Sequence, residues 1–145
     1  MTAAESFFLD TGFAIALLSP RDQYHAAAQQ LAARLRANPA RIVTTEAVIF
    51  EIGAALAKQA WRPAATQFIK ALRADQSVEI VATDPLLWQD AFDLFSARAD
   101  KDWSLTDCLS FVVMSRRGIT DALAADEHFR QAGFVPLLLV DFAAR

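Results

Sequence analysis

The feature that most constrains this chain is an alternation. Short apolar runs, rich in β-branched and aromatic residues, are separated by longer alanine-rich segments with helical periodicity. Five runs read as strands: 6–10 (SFFLD), 41–45 (RIVTT), 78–82 (VEIVA), 121–126 (DALAAD) and 135–142 (VPLLLVDF). Between them, EAVIFEIGAALAKQA follows the breaker NPA and the second run. TDPLLWQDAFDLFSARA opens with Asp84 as an N-cap and Pro85 at the first helical position. SLTDCLSFVVMSRRG ends in two arginines and a glycine, which suit a helix C-terminus. Strands that alternate with helices predict an α/β domain with a central, mainly parallel sheet of about five strands. No repeat, low-complexity tract or linker divides the chain, so residues 1–145 are expected to form a single domain.

Such sheets bind ligands beyond the carboxyl ends of their strands. Asp10 and Asp126 each fall at the end of an expected strand. Asp10 interrupts the apolar segment FFLDTGFAIALL, and an N-cap role would explain it equally well. Glu51 has Ala47, Val48, Ala54 and Ala55 as its helical neighbours, so it lies on an apolar stripe. A buried lone carboxylate is costly without a partner, and Lys58, seven residues on, is a poor one. A glutamate lying along the surface is the bland alternative. Asp107 stands in Ser104-x-x-Asp107, which matches a capping box. Asp126 can likewise cap the short segment EHFRQAG.

Three of these four acids are explicable singly; their joint placement is harder to dismiss. In a parallel sheet all four positions converge on one cleft. Two like charges ~4 Å apart repel by ~4 kcal/mol at an effective dielectric of 20. A divalent cation removes that cost, and hard oxygen donors point to Mg²⁺ or Mn²⁺. With one cysteine and two histidines, a zinc site of Cys and His ligands is disfavoured. The chemistry that such a centre supports is phosphodiester hydrolysis. Thr11, Ser104 and Thr106 are hydroxyls that could reach a phosphate or a metal-bound water, with capping and turn roles as their alternatives.

These same segments carry a resemblance. FLDTGFAIALL, TEAVIFEIGAAL, SLTDCLSF and ALAADEHFRQAGF, in this order from Phe8 to about Val140, resemble the PIN-domain nucleases. They are most similar to the VapC-type toxins of bacterial VapBC toxin–antitoxin pairs. The resemblance implies a three-layer α/β/α domain and an acidic site of Asp10, Glu51, Asp107 and Asp126. It implies Mg²⁺ or Mn²⁺ as cofactor and RNA, tRNA among the targets, as substrate. It also implies a homodimer and a cognate antitoxin whose tail enters the active-site groove. Gly12 departs from the serine or asparagine that many members carry after the Asp-Thr pair.

The remaining features qualify that picture. The net charge of -3 does not look like a strongly basic nucleic-acid binder. Arg21, Lys58, Arg62, Lys101, Arg116, Arg117 and Arg130 are candidates for a basic rim, with ordinary surface charge as the alternative. Trp61 and Trp103 could stack on a base, but core or interface packing is the commoner use. His128 reads as a helix-start histidine with no metal role, and Asp102 and Asp121 as solvated or capping acids. Hydrophobic residues form 54% of the chain, with 11 phenylalanines and a mean hydropathy of +0.23, which suggests partner surface as well as core. No apolar run approaches the ~20 residues of a membrane span, and no export signal is visible. The lone Cys108 excludes an internal disulfide and fits a reducing, cytoplasmic setting.

Three alternatives complete the reading. LDTG is similar to the Asp-Thr-Gly of aspartic proteases, but that fold is nearly all β and leaves Glu51, Asp107 and Asp126 unexplained. A non-catalytic module of the same fold is disfavoured by the intact carboxylates, which a degenerate site would lose, and a DNA-cleaving nuclease stays open because the metal chemistry does not depend on the sugar.

Overall fold

The computed structural model describes residues 5–140. Its elements run β1 (Ser6–Leu9), α1 (Thr11–Leu18), α2 (His25–Ala37), β2 (Arg41–Thr45), α3 (Glu46–Ala55), α4 (Arg62–Ala74) and β3 (Val78–Val81). Then follow α5 (Pro85–Ala97), α6 (Leu105–Arg117), β4 (Asp121–Leu123), α7 (Glu127–Gln131), β5 (Val135–Pro136) and a 3₁₀ turn over Leu137–Leu139. The strand order is β3-β2-β1-β4-β5 and every pairing is parallel.

Phe7, Phe8 and Leu9 are all buried, as the central strand of a sheet covered on both faces requires. Phe8 packs with Val48 and Ile52 of α3, Leu87 of α5, Phe111 and Met114 of α6 and Phe129 of α7. Phe7 and Leu9 turn the other way, onto Phe13 and Ala16 of α1 and Ala28 and Leu31 of α2. These two cores sandwich the sheet and give the three-layer α/β/α architecture.

Local chemistry sets the helix boundaries that matter. Asp84 accepts from Leu87 N at 2.8 Å and Pro85 opens α5, as expected from the sequence. Thr45 caps α3 by accepting from Val48 N at 3.2 Å. Helix α6 ends at Gly118, whose φ of +64° lies in the left-handed region. There the Ile119 amide donates to the Met114 carbonyl at 2.9 Å.

Several boundaries differ from expectation. The fourth run pairs only over Asp121–Leu123, and Ala124–Asp126 peel away as a loop. The fifth pairs only over Val135–Pro136 and then turns into the 3₁₀ segment, with residues 141–142 of that expected strand outside the described chain. Pro136 has no amide to extend a ladder, and Leu137 and Leu138 gain burial against the second core instead. Helix α3 stops at Ala55, short of the helical stretch read through residue 60.

After β1 the chain steps outward through β2 to β3, then returns to the other side of β1 as β4. Strands β1 and β4 therefore flank the point where the winding reverses, the usual place for a ligand in open α/β sheets. The Asp10 amide donates to the Leu123 carbonyl at 3.1 Å and ties the two strand ends together there.

Candidate metal centre

Asp10 follows the last residue of β1 and stands at the N-cap of α1, but its side chain makes no capping bond deeper in the helix; its hydrogen-bond partner is the Thr11 amide. It is 7% exposed. Burial pushes its carboxyl up to about 7, and the neighbouring Asp107 charge adds to that rise. The Thr11 amide opposes it, while Glu51 and Asp126 raise it further. All three of the other expected acids thus act on Asp10 through space. All four line one open cleft of about 620 Å³ with Thr11, Gly12, Ser104 and His128.

Each partner acid is held by its own local device. Asp107 is the third residue of α6 and completes the capping box with Ser104. Ser104 Oγ accepts from the Asp107 amide at 3.0 Å, and Asp107 Oδ2 accepts from the Ser104 amide at 3.1 Å. The cap and the cleft are thus not alternatives for this residue. The cap fixes the side chain through Oδ2, and Asp107 still lines the cleft. Asp126 caps α7 by accepting from the His128 amide at 2.9 Å. Glu51 accepts from Thr11 Oγ1 at 2.8 Å, so its partner is a hydroxyl from α1 and not a cation.

His128 is where the sequence reading and the geometry part. Its Nδ1 lies 3.0 Å from Asp107 Oδ2 and 3.3 Å from Asp126 Oδ2. Ligand atoms of Asp107, Asp126 and His128 all lie within 4.8 Å of one another. Asp10 and Glu51 line the same cleft but stand outside that tightest set. Nothing in the sequence singles out His128, since a histidine at a helix start has many uses. It stands two residues past the N-cap Asp126; its amide donates to that carboxylate, and its imidazole lies beside it.

A donor set of carboxylates with one imidazole suits a divalent cation. Cys108, next to Asp107, is not part of it. The thiol is fully buried, and burial and then the Asp107 charge push its pKa up, so it remains a packed apolar group.

Among the described residues, none of the expected rim cations lines the cleft. Arg116 and Arg117 sit at the far end of α6, a 13-residue helix about 20 Å long, and pair with Asp90 and Glu79. Arg130 pairs with Glu127 at 2.7 Å. Trp103 is core: it meets the Phe111 ring edge-on at 5.1 Å and donates to Gln131 at 3.0 Å. Gly12 is not required by space, because a Cβ there would meet Ala125 N at 3.6 Å, an ordinary contact. Asp102 is exposed, as its solvated reading expects, and lines the mouth of the same open cleft. Among the described residues, no helix is long and apolar enough to cross a membrane.

Known proteins give the same answer on family. The VapC20 protein of Mycobacterium tuberculosis, described as a 23S rRNA-specific endonuclease, is 30% identical over 128 residues in both strains compared. That match covers 88% of this chain and 95% of VapC20. The crystal structure of VapC20, described as a sarcin–ricin loop cleaving toxin, superposes with a TM-score of 0.80 at 29% identity. It covers 90% of this chain and 97% of that one. The family model for the PIN domain matches residues 7–135. The resemblance read from four motifs therefore holds over the whole sheet: this chain belongs to the PIN-domain family and is similar within it to the VapC20-type toxins.

Proposed function

We propose that this protein is a metal-dependent endoribonuclease, the toxin of a type II toxin–antitoxin pair, with Mg²⁺ or Mn²⁺ held by Asp10, Glu51, Asp107 and Asp126. The observation that carries the reading is the convergence of four carboxylates on the cleft where the sheet winding reverses. One of them is destabilised as an anion by burial and by the other three. Such a cluster is unfavourable in the ionised state without a cation.

A bound divalent cation would activate water and neutralise charge on the scissile phosphodiester. The protein's own share is positioning. Asp107 and Asp126 are each fixed through a helix cap, so their carboxylates are preorganised on rigid elements. Thr11 orients Glu51 through Oε2, and its other oxygen has no hydrogen-bond partner among the described residues. Asp10, at the floor, sets the charge of the site.

RNA is the proposed substrate. VapC20 is named for cleavage of 23S rRNA at the sarcin–ricin loop, so a ribosomal RNA loop belongs beside tRNA among the substrates to test. The proposed partners are a cognate antitoxin and a second copy of the chain. Phe50, Leu86, Trp88, Phe92 and Phe95 are exposed large apolar side chains and support a protein-covered face.

Incubating wild type with matched RNA and DNA oligonucleotides tests the proposal. RNA cleavage with Mn²⁺ or Mg²⁺, abolished by EDTA and by Asp10→Asn, is the expected result. Cleavage that survives EDTA would exclude metal catalysis, and no cleavage of either polymer would favour a non-catalytic module. Preferential cutting of DNA would reassign the substrate.

A further inference from the structure

We propose that His128 is a direct ligand of the metal through Nδ1, and that this nitrogen makes the centre favour Mn²⁺ over Mg²⁺. The inference rests on the metal-centre reading above and adds a ligand that the acidic motifs do not contain.

Nδ1 stands 3.0 Å from Asp107 Oδ2 and 3.3 Å from Asp126 Oδ2, and the three residues' ligand atoms all fall within 4.8 Å. For metal–ligand bonds of about 2.1 Å, neighbouring corners of an octahedron lie about 3.0 Å apart and opposite corners about 4.2 Å. The two short separations therefore match octahedral edges as well as they match hydrogen bonds. In the metal-free protein a proton on Nδ1 can bridge the two carboxylates. In the loaded protein one cation can replace that proton and draw on all three residues.

The ring is also held in place. Its own amide donates to Asp126 Oδ1 at 2.9 Å, which fixes the backbone of His128 relative to a carboxylate ligand. Asp126 Oδ2 remains on the side of the imidazole. Phe129, the next residue, is fully buried against Phe8 and Phe111, and anchors α7 to the core. A second observation points into the same cleft: Asp10 lines it and is more than nine-tenths buried.

Selectivity follows from donor type. Mg²⁺ favours oxygen ligands and holds its waters tightly, whereas first-row transition ions accept imidazole readily. An all-carboxylate centre gives Mn²⁺ little advantage over Mg²⁺; replacing one oxygen by Nδ1 supplies it.

The test uses the full-length protein stripped of metal, with Mn²⁺ and Mg²⁺ alone as probes and no RNA. Pulsed EPR of bound Mn²⁺ is expected to show ¹⁴N coupling from a coordinated imidazole in wild type and none in His128→Gln. Calorimetry is expected to show the Mn²⁺:Mg²⁺ affinity ratio falling by about tenfold or more in His128→Gln. His128→Asp, which restores an oxygen donor, is expected to shift the ratio toward Mg²⁺ as well. Melting in EDTA checks that both variants fold. Mn²⁺ binding without ¹⁴N coupling, or an unchanged ratio in both variants, overturns the role of His128 and leaves the carboxylate centre standing. Absence of any Mn²⁺ binding by wild type overturns both.

Discussion

Asp10 is the residue on which the electrostatics turn. An aspartate whose folded pKa rises from 3.8 to about 7 binds its proton more tightly folded than unfolded. Its stabilising contribution is therefore complete below about pH 4 and is lost as pH rises through 7. The metal-free protein should lose stability across that window, by a few kcal/mol at most on the scale of ~1.4 kcal/mol per pKa unit. Asp10→Asn, neutral at every pH, should raise the melting temperature in EDTA at pH 8 and change it little at pH 4. An equal shift at both pH values would mean that Asp10 is not the strained anion. Mn²⁺ should stabilise wild type more at pH 8 than at pH 5, because at pH 5 it must displace a proton from Asp10. How far these residues were legible in the sequence varied with their chemistry. Glu51 could be picked out because an acid on an apolar stripe is unusual, and Asp10, Asp107 and Asp126 because their joint placement points to one cleft. His128 could not, because a lone histidine at a helix start has many uses and only coordinates reveal two carboxylates around it.

At the scale of the element, α6 shows how capping and function share atoms. Ser104→Ala removes the hydroxyl that accepts from the Asp107 amide. It should cost about 1 kcal/mol of stability, read by denaturation in EDTA. It should also weaken Mn²⁺ binding, since Asp107 loses half of its reciprocal cap. A full loss of stability with unchanged metal affinity would separate the two roles. The start of α5 and both ends of α6 were readable because Asp84-Pro85, Ser104 and Gly118 mark them chemically, whereas α5 stops at Ala97, two residues short of the stretch read through residue 99. Helices α2 and α4 were not delimited, because HAAAQQLAARLRA and RPAATQFIKALRA are rich in alanine, which is neutral between core and surface. The last strand failed for another reason. An apolar run such as VPLLL fits an edge strand or a packed turn equally well until Pro136 and the second core decide between them.

The whole molecule presents two surfaces to account for. One is the acidic cleft; the other is the exposed apolar face. On α5, Trp88, Phe92 and Phe95 recur at spacings of four and three and share a stripe, and Trp88 and Phe50 line one shallow apolar groove with Leu105 and Leu109. Light scattering should find wild type self-associated, and Phe92→Asp with Phe95→Asp should shift it to monomer. Mn²⁺ affinity should survive in that variant. A wild type that is monomeric at every concentration would assign the face to the antitoxin instead. The excess of hydrophobic residues in the composition pointed to such a face, but only the fold says which side chains it contains.

The central claim is that carboxylates distant in the chain form one divalent-cation centre. Calorimetric titration of Mn²⁺ into the metal-stripped protein tests it most directly, comparing wild type with Asp107→Asn, which keeps a side-chain oxygen able to accept from the Ser104 amide. Saturable binding by wild type, weakened at least about tenfold in the variant, is the predicted result. Equal affinity in the two proteins would return Asp107 to a purely capping role and contradict the account.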